Sequence, residues 1–217
     1  MKRLIFALTL ICSMVPLSAQ ITHTSNGHVD QNAQKILKKA TQKINAGAVS
    51  FTVTMTNKDS NKKTTAKEKA DVLYDNGKYR VTFGNNIIYC DGTATWHWNK
   101  DDNEVVVNNI STAEDDLLNP AAILAKHDKN FTAKFIRQEE NGNAIIDMTP
   151  KKSKSYYKIR LVINANNGIL QRMEMHNYDS SCGEYQLSHF KSGVKTTADD
   201  FTFSKNKNPN VEIIDMR

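Results

Sequence analysis

The side chains in this sequence that are suited to catalysis or metal binding are few and widely separated. The histidines are His23, His28, His97, His127, His176 and His189. None of them lies in an HExxH segment or in a pair with metal-ligand spacing, and Cys90 and Cys182 form no CxxC motif. The sequence also lacks a GxSxG nucleophile turn and a Walker-type phosphate loop. A triad of Asp91, His97 and a serine can be drawn only because its spacing is unconstrained. We therefore expect a protein that is not an enzyme and that has no cofactor and no metal.

The N-terminal residues have the pattern of a secretory signal peptide. A cationic start at Met1–Arg3 precedes the apolar run Leu4–Val15, and a small-residue end predicts cleavage after Ala19. The apolar run is too short for a stable membrane anchor. Ile11 is too bulky a residue before Cys12 for lipoprotein processing, so we expect an exported, soluble chain without a lipid. The predicted organisation is a signal peptide at 1–19, a flexible N-terminus at 20–29 and a single domain at 30–217.

The charge balance is mildly basic, with 29 Lys and Arg, 23 Asp and Glu and a formal net charge of +6. The basic residues between Lys151 and Arg160 fit either a solvated loop and strand or a docking surface for an acidic partner. Export and the lack of an aromatic RNA-binding signature argue against a nucleic-acid partner. Export also places Cys90 and Cys182 in an oxidising compartment, and the sequence leaves a disulfide between them open.

One helix and then a series of short strands are predicted after the N-terminal region. Apolar residues recur at helical spacing from Ala33 to Ile44, with Asp30 as the N-cap and Gly47 as the stop. Apolar residues alternate with threonines in Val49–Met55, which is typical of a half-buried strand. Further strands are predicted at 66–74, 78–83, 86–90, 93–98, 104–107, 131–138, 144–149, 156–163, 169–178, 184–190, 201–203 and 211–213. The regular spacing indicates a mainly β (α+β) fold, a barrel or strongly bent antiparallel sheet of about ten or eleven strands.

A paired helical signal interrupts the strands at 111–126. Ser111 and Glu114 form a capping box, and Asn119 caps a second helix that has Pro120 at its first position. The second helix, at Ala121–Ala125, is apolar almost all round, which a solvated loop would not need. We expect these two short helices to form a lid over the sheet.

The predicted sheet has more apolar surface than three short helices can cover. An apolar interior that holds a hydrophobic ligand such as acyl chains is therefore expected. Methionines and aromatic rings suit a ligand of variable shape, and Trp96 and Trp98 are predicted to face the interior with Phe51 and Tyr79. The alternative for each residue is an ordinary core position. The candidate acyl-chain residues are Phe51, Val53, Met55, Val72, Tyr74, Tyr79, Val81, Tyr89, Trp96, Trp98, Leu117, Leu118, Ile123 and Leu124.

Several short motifs between residues 30 and 215 carry a family resemblance through their order and spacing. They are Ser50-Phe51, Ile88-Tyr89-Cys90-Asp91-Gly92, Thr95-Trp96-His97-Trp98, Asn119-Pro120, Thr149-Pro150-Lys151, the turn Asn164–Gly168 with Ile169-Leu170, and Phe201-Thr202-Phe203. In this order the chain resembles the periplasmic outer-membrane lipoprotein carriers of the LolA family.

The resemblance implies an unclosed antiparallel β-barrel with an N-terminal helix and a short helical lid over an acyl-binding cavity. It also implies a monomeric periplasmic carrier of acylated lipoproteins. Such a carrier receives its cargo from an inner-membrane ATP-driven release complex and delivers it to the outer membrane, where an acceptor would be a further partner. Many relatives have an arginine before the Tyr79 strand that latches the lid. Asp75-Asn76 stand there in this chain, so the latch is left to Arg80 or another group.

Two other functional classes stay open at this point. One is a lipid-binding sensor or regulatory domain on the same fold, and the other is a secreted hydrolase with an unrecognised site. The mass of a bound ligand and an effect on lipoprotein localisation would separate a carrier from a sensor, and a substrate panel would test the hydrolase.

Overall fold

The first helix of the fold begins beside Asp30 and covers the sheet. A computed structural model describes residues 30–110 and 120–217. The predicted helix is confirmed as α1, Gln31–Asn45, and Asp30 caps it by accepting a hydrogen bond from the Ala33 backbone N–H over 3.0 Å. The predicted signal peptide, the flexible N-terminus and the first lid helix with Leu117 and Leu118 lie outside the described residues.

Twelve strands of the described chain form one sheet. They are β1 Val49–Lys58, β2 Thr64–Asp75, β3 Lys78–Phe83, β4 Asn86–Cys90, β5 Ala94–Asn99, β6 Glu104–Asn109, β7 Phe131–Gln138, β8 Asn143–Pro150, β9 Tyr156–Asn164, β10 Leu170–Asn177, β11 Cys182–Ser192 and β12 Glu212–Asp215. Their spatial order is β12-β6-β5-β4-β3-β2-β1-β11-β10-β9-β8-β7. Only β12 pairs in parallel, with β6, and the other pairs are antiparallel. Because β12 and β7 are the two edges, the sheet is open, as predicted.

Short helical segments interrupt the strands at two places. α2, Pro120–Ala125, and α3, His127–Asn130, lie between β6 and β7, and a 3₁₀ helix at Ala198–Phe201 lies between β11 and β12. The prediction of a helix beginning at Pro120 is therefore confirmed.

The predicted strand at 201–203 is wrong. The Thr197 backbone N–H and hydroxyl both donate to Asp200, over 2.9 and 3.1 Å, and this capping box begins the 3₁₀ helix. Asp200 also accepts a hydrogen bond from Arg80 over 3.2 Å. These polar contacts hold the segment against β3 and β4, where Phe201 is buried.

Turns and bulges explain how the sheet bends. Asn76 and Gly77 between β2 and β3 have φ angles of 47° and 91°, the left-handed conformations that a tight two-residue hairpin needs. The predicted Asn-Gly turn is thus confirmed. Register shifts between Ser50 and Thr52 and between Phe135 and Arg137 mark bulges, which increase local twist and bend a sheet.

The two faces of the sheet differ in character. Side chains of β1 to β4 and β7 to β11 form one apolar cluster with α1 and α2 on the inner face. The outer face of the C-terminal half has ion pairs such as Asp147 with Arg160, whose Nε and Nη2 donate to the carboxylate over 2.7 and 2.8 Å. Burial raises the pKa of Asp147, but the hydrogen bonds and charge of Arg160 together with the charges of Lys158 and His176 lower it overall. The apolar interior therefore lies between the curved sheet and the helices.

Polar contacts fix α1 to the sheet at its N-terminus and near its middle. The Phe135 backbone N–H donates to Asp30 over 2.8 Å. Further along the helix, Lys39 Nζ donates to the Ala165 carbonyl over 3.1 Å and to the Asn166 carbonyl. Because these contacts reach β7 and the turn between β9 and β10, α1 is an integral layer of the fold.

Gly168 is expected to be essential for the docking of α1. A Cβ at this position would lie 2.9 Å from the Lys39 carbonyl oxygen, and its φ is +75°. Gly193 has a similar φ of +71° with nothing within 4 Å, so it is a matched control. Both alanine variants carry the backbone strain, but Gly168→Ala adds a clash, and we expect it to lose about 1–3 kcal/mol more stability in urea denaturation. Equal losses for the two variants would contradict this account of the docking.

Candidate functional site

The inner face brings most of the predicted acyl-chain residues together. Eight of the fourteen belong to one apolar cluster, and Met55 packs against its edge. The eight residues are Phe51, Val53, Val72, Tyr74, Tyr79, Val81, Ile123 and Leu124. The cluster includes Leu37 of α1, so the same interior touches both helices.

The prediction that the tryptophans face this interior is wrong. Tyr89 pairs with Trp96 across β4 and β5, whereas Cys90, which belongs to the interior cluster, pairs with Thr95. Since paired residues share a face and neighbours alternate, Tyr89, Trp96 and Trp98 lie on the outer face.

The tryptophans are covered there by the C-terminal part of the chain. They pack against a second small cluster of Val105, Val107, Val211 and Phe203. The rings of Trp98 and Phe203 meet edge to face, with centroids 5.3 Å apart. An alternating pattern leaves the choice of face open, and here a distant segment of chain made the outer face apolar as well.

α2 is the described part of the predicted lid. Ala121, Ile123 and Leu124 belong to the interior cluster, with Leu124 fully buried. Leu117 and Leu118, also predicted there, lie outside the described residues. Six residues make α2 too short to be stable on its own, so its helical state depends on this packing.

The contacts that join α2 to α1 are weak compared with those that anchor α1. The Thr41 hydroxyl lies 3.4 Å from the Leu124 carbonyl oxygen and 3.4 Å from His127 Nδ1. His127 Nδ1 itself lies 2.8 Å from the Leu124 carbonyl oxygen, a local hydrogen bond at the C-terminal end of α2. The contacts that hold α1 to β7 and to the turn between β9 and β10 do not involve α2.

A narrow apolar crevice runs under α1 and α2. Its lining residues are Ile44, Phe51, Ala121, Leu124, Gly168, Ile169, Leu170, Leu187 and Phe190. The free space within it is about 10 Å³, which is about what a single water molecule needs. An acyl chain could enter only if the walls of this crevice moved apart.

Sequence reasoning missed the β11 side of this crevice. Leu187 and Phe190 lie there because β11 pairs with β1, with Leu187 opposite Val53. The alternation of Tyr185 and Leu187 in the sequence indicates a half-buried strand. It does not indicate that this strand pairs with β1, which is more than a hundred residues away. Burial raises the pKa of Tyr185, so its phenol is neutral at the edge of the interior.

Arg80 contacts the 3₁₀ helix in the described structure. It pairs with Tyr89 across β3 and β4 and therefore lies on the outer face, where it binds Asp200. Asp75, at the position of the family's arginine, accepts a hydrogen bond from the Thr196 hydroxyl over 3.2 Å. Within residues 30–110 and 120–217, neither contact reaches α2, so a latch made by Arg80 stays a prediction for the part of the lid outside the described residues.

The thiols and histidines do not assemble into a reactive centre in the part of the chain that the structure describes. Among the described residues, Cys90 and Cys182 are not joined by a disulfide. Burial and then the nearby Glu174 raise the pKa of Cys182, which keeps it a protonated thiol at neutral pH. Within residues 30–110 and 120–217, no group of His, Cys, Asp and Glu side chains has a metal-binding arrangement. Among the same residues, no helix has the length and apolar character needed to cross a bilayer.

Solved structures share this fold at low sequence identity. An uncharacterised conserved protein from Thermus thermophilus matches with a TM-score of 0.60 and 14% identity, over 85% of this chain and 99% of that chain. A LolA superfamily protein from Nitrosomonas europaea gives 0.46 and 14%, over 79% and 97%. MucB in its complex with MucA from Pseudomonas aeruginosa gives 0.43 and 10%, over 84% and 63%.

Family membership follows from the sequence itself. The comparison with curated proteins gives no match. The family described as outer membrane lipoprotein carrier protein LolA matches residues 78–204, which is more than half of the chain and spans the region from β3 to the 3₁₀ helix. The protein therefore belongs to the LolA family.

Proposed function

We propose that this protein is a periplasmic carrier that shields the acyl chains of lipoproteins and transfers them from the inner to the outer membrane. The observation that carries the proposal is the apolar inner face of an open sheet, against which a helix of six residues packs Ala121, Ile123 and Leu124. Membership of the LolA family supports it independently.

The energetics are favourable for a carrier of this kind. Lifting α2 exposes Ile123 and Leu124, which costs about 3–6 kcal/mol. Each acyl methylene moved out of water contributes about 0.8 kcal/mol, so about seven buried methylenes offset the opening. An acyl chain exposed to water loses this favourable free energy for every methylene. A lipoprotein therefore needs a protein that shields its chains to cross an aqueous compartment.

The proposed partners are those that membership of the LolA family implies. Extraction of a lipoprotein from a membrane needs work, which an inner-membrane ATP-driven release complex would supply. The carrier would then act as a monomer and give up its cargo at the outer membrane, directly or to an acceptor there.

A transfer assay tests the proposal. Inner-membrane vesicles with the release complex and a labelled lipoprotein are incubated with the purified protein, and the soluble and outer-membrane fractions are counted. We expect a soluble complex and transfer of the acylated lipoprotein, whereas a cargo variant whose lipidated cysteine is replaced by serine should form no complex. A protein that binds lipid but moves no lipoprotein would contradict the carrier and favour a sensor.

A further inference from the structure

The inner face of β5 contains two buried polar atoms that make no hydrogen bond with any residue of the described structure. Thr95 is only 1% exposed, and its hydroxyl has no partner among those residues. The Nε2 atom of His97, two positions along the strand, is also buried and equally unpartnered. Buried polar groups in folded proteins are nearly always hydrogen-bonded, so two such atoms side by side need an explanation.

Both atoms face the apolar interior. Thr95 lies opposite Cys90, and His97 lies opposite Ile88, across β4 and β5. Cys90 and Ile88 both belong to the interior cluster that also contains Ile123 and Leu124 of α2. Because paired residues share a face, the Thr95 hydroxyl and His97 Nε2 form a short polar row on the face of β5 that continues the interior cluster.

We infer that this row is a binding site for the carbonyl oxygens at the head of the acyl chains. The inference rests on the proposed carrier function. It adds to that function two side chains that distinguish a carbonyl-containing lipid linkage from an ether linkage. A hydroxyl donates one hydrogen bond, and a neutral imidazole donates from one of its nitrogens, so Thr95 and His97 together can serve two carbonyl oxygens. Ester and amide carbonyls are the polar groups of an acylated lipoprotein anchor that lie next to the chains.

The consequence is selectivity for acyl over alkyl chains. An ether-linked chain fills the same apolar space but offers no carbonyl, so it leaves both protein groups without a partner. A hydrogen bond of ordinary strength is worth on the order of a fivefold change in affinity. The row would thus set the depth at which the head of the anchor stops.

Two lipopeptide probes test this inference on the full chain. One carries two ester-linked palmitoyl chains on a glycerylcysteine peptide, and the other carries two ether-linked hexadecyl chains on the same peptide. Displacement of a fluorescent fatty acid gives the affinity for each. We expect the wild-type protein to bind the ester probe at least about fivefold more tightly than the ether probe.

Three variants distinguish hydrogen bonding by the polar row from a general effect of changed packing. Thr95→Val and His97→Phe should each weaken ester binding by about fivefold and leave ether binding unchanged. Thr82→Val, on the outer face of β3, is the matched control and should change neither affinity. Thr95→Val should also raise the melting temperature, since it removes a buried hydroxyl that has no partner.

The outcomes distinguish this inference from the proposed function. Equal wild-type affinity for the two probes would overturn the inference and leave the carrier function intact. Ester preference that survives in Thr95→Val and His97→Phe would overturn it as well. Failure of both probes to bind the wild-type protein would overturn the carrier function and this inference with it.

Discussion

Replacing Ile123 by Asp is expected to abolish acyl-chain binding while the sheet stays folded. A carboxylate at this position is unfavourable with α2 in place, because Ile123 is only 4% exposed and belongs to the apolar cluster. The protein can relieve the cost by releasing α2, which limits the loss of stability to the about 3–6 kcal/mol of its docking. An acyl chain in the interior would then meet a polar wall when α2 closes.

The effect of Ile123→Asp is measured as binding of a fluorescent fatty acid, with thermal unfolding in parallel. We expect binding to fall by at least tenfold, which corresponds to about 1.4 kcal/mol, and unfolding to remain cooperative. Ile136→Asp is the matched control, since this isoleucine of β7 is 37% exposed and should tolerate the same change. Full binding by a folded Ile123→Asp protein would remove α2 from the acyl site.

Replacing Leu37 by Asp is expected to unfold the protein. Leu37 and Ile123 are both buried in the same cluster, but Leu37 belongs to α1. Asp30 and Lys39 tie α1 to β7 and to the turn between β9 and β10, so this helix cannot leave without breaking those contacts. The loss of the leucine and the burial of a charge together cost about 5–10 kcal/mol, which is comparable with the whole stability of a domain.

Circular dichroism and solubility at 37 °C report the outcome for Leu37→Asp. The comparison with Ile123→Asp holds the chemistry constant and changes only the helix. If both variants unfolded alike, α2 would be as integral to the fold as α1, and it could not act as a lid. If Leu37→Asp remained folded, α1 would be more mobile than its anchors indicate.

The local features of the fold were predictable because short segments determine them. Asp30 and the apolar spacing after it define α1, and Asn76-Gly77 defines a hairpin that only left-handed backbone angles allow. The apolar inner face of β1 followed from the alternation in Val49–Met55. Pro120 marked the start of α2. Each of these depends on interactions between residues close in sequence.

The face of each strand and its distant neighbours were decided by the tertiary structure. Alternation in Thr95–Trp98 is the same whichever side is the interior, and the pairing of Cys90 with Thr95 puts the polar residues inside and the tryptophans outside. Phe203 and Val211 give the indole rings apolar contacts on the outer face, although they are more than a hundred residues away in the sequence.

Contacts between distant segments also decided the features that the family resemblance left open in this chain. The sequence by itself determined a bent antiparallel sheet with an apolar face and short helices beside it. Only the folded chain decided that Arg80 binds Asp200 on the outer face, that β11 pairs with β1, and that Asp30 anchors α1 to β7. Contacts between distant segments have no local signature, because the free energy that selects them comes from burying surfaces that meet only after the chain has folded.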